Sequence, residues 1–286
     1  MPLIHVNGVE LNYEIHGDGP ATPLVMSHGF SGYLGQWKPA LLPLAANRPL
    51  ILYDTRGHGG SSAPDDPDAY SVPIYAADLA ALLDALGIPK AHVGGQSLGG
   101  MLSAQFTVDF PDRCASAILS DTTCGNGVDP GPAGDWERWV QKAISERGDN
   151  VKKLGMEEAF RVDYEWRAAN DPNWADSPYT LEDFLRRARS TPAAGYIGAA
   201  KAIVERPDLT ERVKTVSAPV LIMVGDRDGF YPCGLRDHTL IPGSRLVMRR
   251  GCAHGYRWRL DTWLAEAESF LADVDANRPT AGKREV

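Results

Sequence analysis

Cysteine is scarce. The chain has four in 286 residues, Cys114, Cys124, Cys233 and Cys252, and no two form a C-x-x-C pair. That speaks against a disulfide-stapled scaffold, a zinc ribbon and a thioredoxin-type redox site, and free thiols are expected. No run of about 18 apolar residues occurs, so no membrane-spanning helix is expected. The opening Met1-Pro2-Leu3-Ile4-His5-Val6 lacks the basic-then-apolar order of a secretory leader, and no Asn-x-Ser/Thr acceptor occurs. A cytoplasmic enzyme is the expected setting. Positive charge is in deficit, with 29 Lys and Arg against 37 Asp and Glu for a net charge of −8. Nucleic acid and anionic membranes need a basic face, so neither is expected as a partner. There is no G-x-G-x-x-G. Gly94 and Gly99 have P-loop spacing, but Gly100-Met101 stands where Lys and Ser/Thr are required. No metal or organic cofactor is implied.

What is present is a globular balance, 43% hydrophobic and 23% charged. A chain of this length buries about 70–75% of its unfolded surface, enough for one core with an inserted subdomain. Leu3–Val6 and Glu10–His16 read as strands joined by an Asn7-Gly8 hairpin turn. Strands are expected at 23–27 and 50–53, separated by a helix around 37–46. Ser71-Val72-Pro73 opens a helix whose apolar face is Leu79, Leu82, Leu83 and Leu86. Ala91–Gly94 reads as a strand, 98–110 as a helix ending before Pro111, and 115–119 as another strand. The alternation stops near Gly125. From 125 to 206 the chain reads as helical and carries four of the seven tryptophans. Strands resume at 218–225 and 244–248, and a terminal helix buries Trp263, Leu264, Ala267, Phe270, Leu271 and Val274. This pattern predicts a mostly parallel eight-stranded sheet with helices on both faces. The division is a core domain over 1–124 and 207–276, a helical cap over 125–206, and a polar, frayed tail over 277–286. An insertion of this kind is expected over the carboxyl edge of the sheet, where open α/β sheets place their sites.

The sharpest local signal is Gly95-Gln96-Ser97-Leu98-Gly99, a G-x-S-x-G between a predicted strand and a predicted helix. A tight strand-to-helix turn needs small neighbours and strains the serine backbone. It would lift Ser97 Oγ above the sheet, at the positive end of the helix dipole. Serine is a weak nucleophile and needs a base. Elbows of this type take their partners in the order Ser, Asp or Glu, His. Only His238 and His254 follow Ser97. His238 falls in a predicted helix facing solvent, whereas His254 follows the last strand in a loop, where a general base belongs. In Gly225-Asp226-Arg227-Asp228-Gly229, Asp228 lies further into the loop and is the candidate to orient His254. Asp226 reads as a turn-stabilising carboxylate. An oxyanion needs two donors. The Leu98 N–H is one candidate. The Phe30 N–H, in the loop Ser27-His28-Gly29-Phe30-Ser31-Gly32, is the other, with His28 bracing that loop.

Together these residues resemble the α/β-hydrolase superfamily. The likeness covers about 1–124 and 207–274. It rests on HGF at 28–30, DTRGHGGSS at 54–62, GQSLGG at 95–100, GDRD at 225–228 and His254. It implies that the 54–61 turn is architectural, with Arg56 and His58 structural. The nucleophile is Ser rather than the Asp of haloalkane dehalogenases and epoxide hydrolases. The stretches at 110–113, 119–123, 195–200 and 208–210 look like those of 3-oxoadipate enol-lactonases and nearby esterases. The resemblance therefore implies a serine hydrolase of a small carboxylic ester or lactone. A C–C bond hydrolase of vinylogous diketones and a cofactor-free perhydrolase would use the same triad. A small-ligand receptor with residual hydrolase activity is the alternative of another class. Trp136, Trp139 and Tyr196 are the candidates for substrate-pocket walls, against the reading of the cap aromatics as its own small core. Arg138, Arg161 and Arg167 are candidates to pair with a substrate carboxylate, against a solvated face. A small-molecule substrate is the expected partner, and a homo-oligomer is left open.

Overall fold

The computed structural model describes residues 2–286. Its centre is one sheet. In chain order the strands are β1 (Leu3–Val6), β2 (Val9–His16), β3 (Leu24–Ser27), β4 (Leu50–Tyr53), β5 (Ala91–Gln96), β6 (Cys114–Ser120), β7 (Val220–Gly225), β8 (Arg245–Arg249) and β9 (Gly282–Glu285). Their spatial order is β1-β2-β4-β3-β5-β6-β7-β8-β9. β1 and β2 pair antiparallel, as do β2 and β4, and every other pairing is parallel. The helices are α1 (Leu34–Leu41), α2 (Val72–Ala85), α3 (Leu98–Asp109), α4 (Pro132–Leu154), α5 (Met156–Asn170), α6 (Leu181–Arg189), α7 (Ala193–Val204), α8 (Tyr231–Leu240) and α9 (Leu260–Asp275).

The period-2 alternation of strands sorts the side chains into two cores. On β3, Val25 faces one cluster while Leu24 and Met26 face the other. On β7, Ile222 and Val224 face the first, and Leu221 and Met223 the second. α2 and α3 supply Leu79, Leu83, Leu102 and Phe106 to the first face; α1 and α9 supply Trp37, Trp263 and Phe270 to the second. Both faces of the central strands are thus covered, which is why they read as continuous apolar runs.

The sheet corrects two sequence expectations. It has nine strands rather than eight, and the ninth lies in what the sequence presents as a frayed tail. β9 reads Gly-Lys-Arg-Glu and is exposed throughout. A strand with no buried face carries no apolar period, so the pattern that marks the other strands is missing. Backbone pairing holds it instead, Arg245↔Gly282 through Met248↔Glu285. The Arg250 N–H donates to Val286 O at 2.8 Å, and Arg250 pairs with Glu285 at 2.7 Å. Its charges suit an edge that must not recruit further strands.

Four helices, α4 to α7, lie between β6 and β7 in the chain. They have a small core of their own, with Val151, Ala159, Phe160, Phe184, Ala188 and Tyr196 buried together.

Candidate active site

The parallel strands β3, β5, β6, β7 and β8 lie side by side in that order, and the loops leaving their carboxyl ends meet over the sheet. Ser97 joins β5 to α3 with φ 57° and ψ −117°, a conformation that is strained for any residue with a Cβ. Its neighbours explain how the turn closes. A Cβ on Gly95 would strike the Gly99 backbone, and one on Gly99 would strike the Ser27 carbonyl oxygen. The Ser97 N–H donates to Ser120 O at 3.0 Å, and Thr122 Oγ1 donates to Ser97 O at 2.8 Å. The strain is therefore held by the end of β6 and the loop after it, and on the other side by the Met101 N–H of α3, which donates to Ser97 O at 2.9 Å.

Asp228 and His254 meet. Asp228 Oδ2 lies 2.9 Å from His254 Nδ1, and its Oδ1 accepts from the Phe230 N–H at 3.0 Å. The Asp228 side chain is 1% exposed and that of His254 41%. Loss of water opposes charge on both. The opposite partner and its hydrogen bond outweigh that loss, so Asp228 is held below the usual carboxylate range and His254 above the usual 6.5 of imidazole. Asp226 accepts from the Gly251 N–H at 2.8 Å and so ties the β7 loop to the β8 loop. The structure does not pair Ser97 with His254. His254 Nε2 instead meets the Gln96 side-chain Nε2 at 2.8 Å. An amide N–H can only donate, so Nε2 accepts and the proton sits on Nδ1, toward Asp228.

The β3 loop is fixed by two neutral histidines. Burial pushes His28 down and His58 down to about 3. The Thr55 N–H donates to His28 Nε2 at 3.1 Å, which puts the proton on Nδ1, and Nδ1 donates to Gly29 O at 2.9 Å. His58 Nε2 accepts from the Ser31 N–H at 3.2 Å. The Phe30 N–H has no partner among the described residues. The Leu98 N–H, at the first position of α3, has no intrahelical acceptor. Arg56 forks onto Asp78 at 2.9 and 2.7 Å, and Asp54 accepts from Asn12, Leu34 and Gly60, so the 54–62 turn is a brace.

A cavity of about 770 Å³ opens above Ser97, with Phe30, Gln96, Asp228 and His254 on its floor. Trp136, Trp139 and Tyr196 all line it. Trp136 and Trp139 stack at 4.5 Å, and Tyr196 packs on Phe30 at 4.4 Å. Of the three candidate arginines, only Arg167 reaches the cavity, bonded to Asp163 at 3.1 Å. Arg138 and Arg161 stand half-exposed with their own acidic partners. All four cysteines are buried and free. No cluster of metal-ligating side chains and no helix long and apolar enough to cross a membrane occurs among the described residues.

Sequence reasoning missed three features. Gln96 occupies a variable position of its motif, and nothing in the motif announces a bond to the histidine. Arg187 lines the cavity beside Arg147, and in sequence it is indistinguishable from Arg186 and Arg189. The third lies beneath the site. Asp121 and Arg249, both fully buried, form a two-pronged pair at 2.9 Å. Asp121 also accepts from the Gly225 N–H, and Arg249 donates to Trp258 O, so one ion pair anchors the roots of both the Asp228 and His254 loops.

A doubly wound sheet with a strained serine elbow and an Asp–His pair across its carboxyl edge defines a hydrolase class. The chain belongs to the alpha/beta hydrolase fold family, whose model matches residues 22–254. It is similar to 3-oxoadipate enol-lactonase 2 of Acinetobacter baylyi, at 28% identity over 80% of this chain and 82% of that protein. A putative carbamate hydrolase RutD of Azorhizobium caulinodans is 40% identical over 42% of this chain and 43% of that one. Among solved structures, the enol-lactonase of Burkholderia xenovorans superposes with a TM-score of 0.78 at 26% identity, covering 95% of this chain and all of that one.

Proposed function

We propose that the protein hydrolyses a small carboxylic ester or lactone through an acyl-enzyme, with Ser97 as nucleophile, His254 as general base and Asp228 as its orienting carboxylate. The observation that carries the reading is the 2.9 Å bond from Asp228 to His254 Nδ1. With the proton on Nδ1, the Nε2 lone pair, which here accepts from Gln96, is the one that can take a proton. For the reaction, Nε2 exchanges the Gln96 amide for the Ser97 hydroxyl. Ser97 Oγ bonds to the carbonyl carbon as His254 takes its proton. The carbonyl oxygen becomes an oxyanion, met by the N–H groups of Phe30 and Leu98. The C–O bond to the leaving group then breaks, and His254 Nε2–H protonates the departing oxygen. Water attacks the acyl-enzyme, gives its proton to His254, and Ser97 leaves with it. The helices over 125–206 serve as a cap that walls the cavity with Trp136, Trp139 and Tyr196 and excludes water. The similar enol-lactonases support a lactone among the substrates.

The test is covalent labelling with a fluorophosphonate, followed by turnover of p-nitrophenyl esters and of lactones with and without hydrogen peroxide. Ser97 is the expected labelled residue. Ser97→Ala and His254→Ala should each lose about 10⁴-fold or more in kcat. Full turnover by Ser97→Ala would end the reading. A rate that depends on peroxide would move it to perhydrolysis.

A further inference from the structure

We propose that Arg187, carried on α6, is a positioning residue for the oxyanion loop, so that the helical insertion completes the acyl-transfer site as well as covering it. The proposal rests on the reading of Phe30 as an oxyanion donor.

The Phe30 N–H shares a peptide plane with the Gly29 carbonyl and points the opposite way. Gly29 O is held within the loop, by His28 Nδ1 at 2.9 Å and by the Gly32 N–H at 2.8 Å. The Gly32 bond stays in place only while the Phe30–Ser31 peptide and Ser31 keep their conformation, so the donor depends on what fixes that next stretch of the loop. The Phe30 carbonyl is caught from above, by Arg187 Nη2 at 3.0 Å.

Ser31 shows why a catch is needed. It has φ 57° without being glycine, in the left-handed region where a Cβ crowds the following carbonyl oxygen. Such a residue persists only where its surroundings over-determine it. Ser31 is bonded on every side. Its N–H donates to His58 at 3.2 Å and its Oγ to Phe30 O at 2.6 Å. Its Oγ accepts from Arg187 Nη2 at 2.5 Å. Its carbonyl accepts from Thr191 Oγ1 at 3.4 Å and Arg187 Nε at 3.5 Å. His58 belongs to the core; Arg187 and Thr191 belong to the insertion.

Nothing else claims the guanidinium. Among the described residues Arg187 has no carboxylate partner, and Asp163 is taken by Arg147 and Arg167 at 3.1 Å each. The rings of Phe184 and Phe160 flank Arg187 at 5.4 and 5.9 Å and restrict where it can swing. A charged donor aimed at neutral acceptors makes strong, directional bonds, and all of its acceptors lie on the two residues of the oxyanion loop. Donors to an oxyanion act only within a few tenths of an ångström of their best position, so a clamp on this loop bears on the rate rather than on substrate capture.

The experiment uses the full-length protein. Fluorophosphonate labelling carried to completion first establishes Ser97 as nucleophile. kcat and KM are then measured for a neutral p-nitrophenyl ester and for one with a carboxylate on its acyl chain, in wild type, Arg187→Lys, Arg187→Met and Thr191→Val. Inhibition by a phenylboronic acid, which forms a tetrahedral adduct on the serine, is measured alongside. Arg187→Met should lower kcat about 10–100-fold on both esters, with KM within about twofold of wild type. Boronate affinity should fall by a similar factor, and Arg187→Lys should recover part of both. Should the Met variant fail to fold, the Lys and Thr191→Val variants carry the same comparison. An unchanged kcat in a protein whose Ser97 is fully labelled would overturn the proposal. So would a rise in KM confined to the anionic ester, which would make Arg187 a contact to the substrate. Absence of labelling at Ser97 would overturn the triad reading first, and this one with it.

Discussion

His254 carries a titration with a definite sign. Loss of water around the ring disfavours its charge, while Asp228 and, further off, Asp121 favour it and Arg167 opposes them; the balance lies above the usual 6.5. A base must be neutral to accept the Ser97 proton. The acid limb of kcat/KM is therefore expected above pH 6.5, with activity lost as pH falls through the raised value. The buried His58 and His92, pushed down to about 3 and about 4 by burial, stay uncharged over that range and add no limb of their own. In Asp228→Asn the carboxylate charge is gone. The limb should move to lower pH and the plateau should drop by about 10⁴-fold, since an amide no longer selects the base-competent tautomer. A pH–rate profile of the two proteins checks both. An unmoved limb would assign the titration to another group.

The elements show why some of the site was legible in the sequence and some was not. Ser71 caps α2 through its own side chain, accepting from the Ile74 N–H at 3.2 Å, and a cap of this kind is visible as Ser-Val-Pro. The start of α1 is capped by Asp54 Oδ1, twenty residues downstream, so no local signal marks it, and the helix begins at Leu34 rather than near Trp37. The elbow was readable because its chemistry is local, a serine between glycines at fixed spacing. The pairing of Asp228 with His254 was inferable from loop order alone. Gln96 on His254 and Arg187 on Ser31 were not readable, because each joins residues more than 150 positions apart. α6 offers a test at this scale. Thr180 and Asp183 form a reciprocal capping box at its start. Thr180→Ala should cost about 1 kcal/mol. Hydrogen exchange should report it as lost protection in α6 with β5 to β7 unchanged. Because α6 carries Arg187, the same variant should lower kcat modestly while KM holds.

For the molecule as a whole, residues 277–286 decide how this side of the sheet meets solvent. β8 is apolar where it is buried, with Leu246 and Val247 at 0% exposure, and it would be the sheet's edge without β9. An unpaired edge beside an apolar strand invites pairing with another chain. β9 covers it with Lys283, Arg284 and Glu285 and adds Val286 to the packing beside the second core. The His254 loop does not depend on this strand alone. Asp226 holds Gly251, and Arg249 holds Trp258, through side chains that remain when the tail is gone. Removal of residues 277–286 should therefore separate two properties. The melting temperature should fall by about 2–4 °C for each kcal/mol of lost pairing and packing, and light scattering should show association that grows with concentration. kcat/KM of the monomeric fraction should stay within about twofold of wild type. Loss of turnover in a truncated protein that is still folded and monomeric would place β9 among the supports of the active site, through its 2.8 Å bond to the backbone of Arg250.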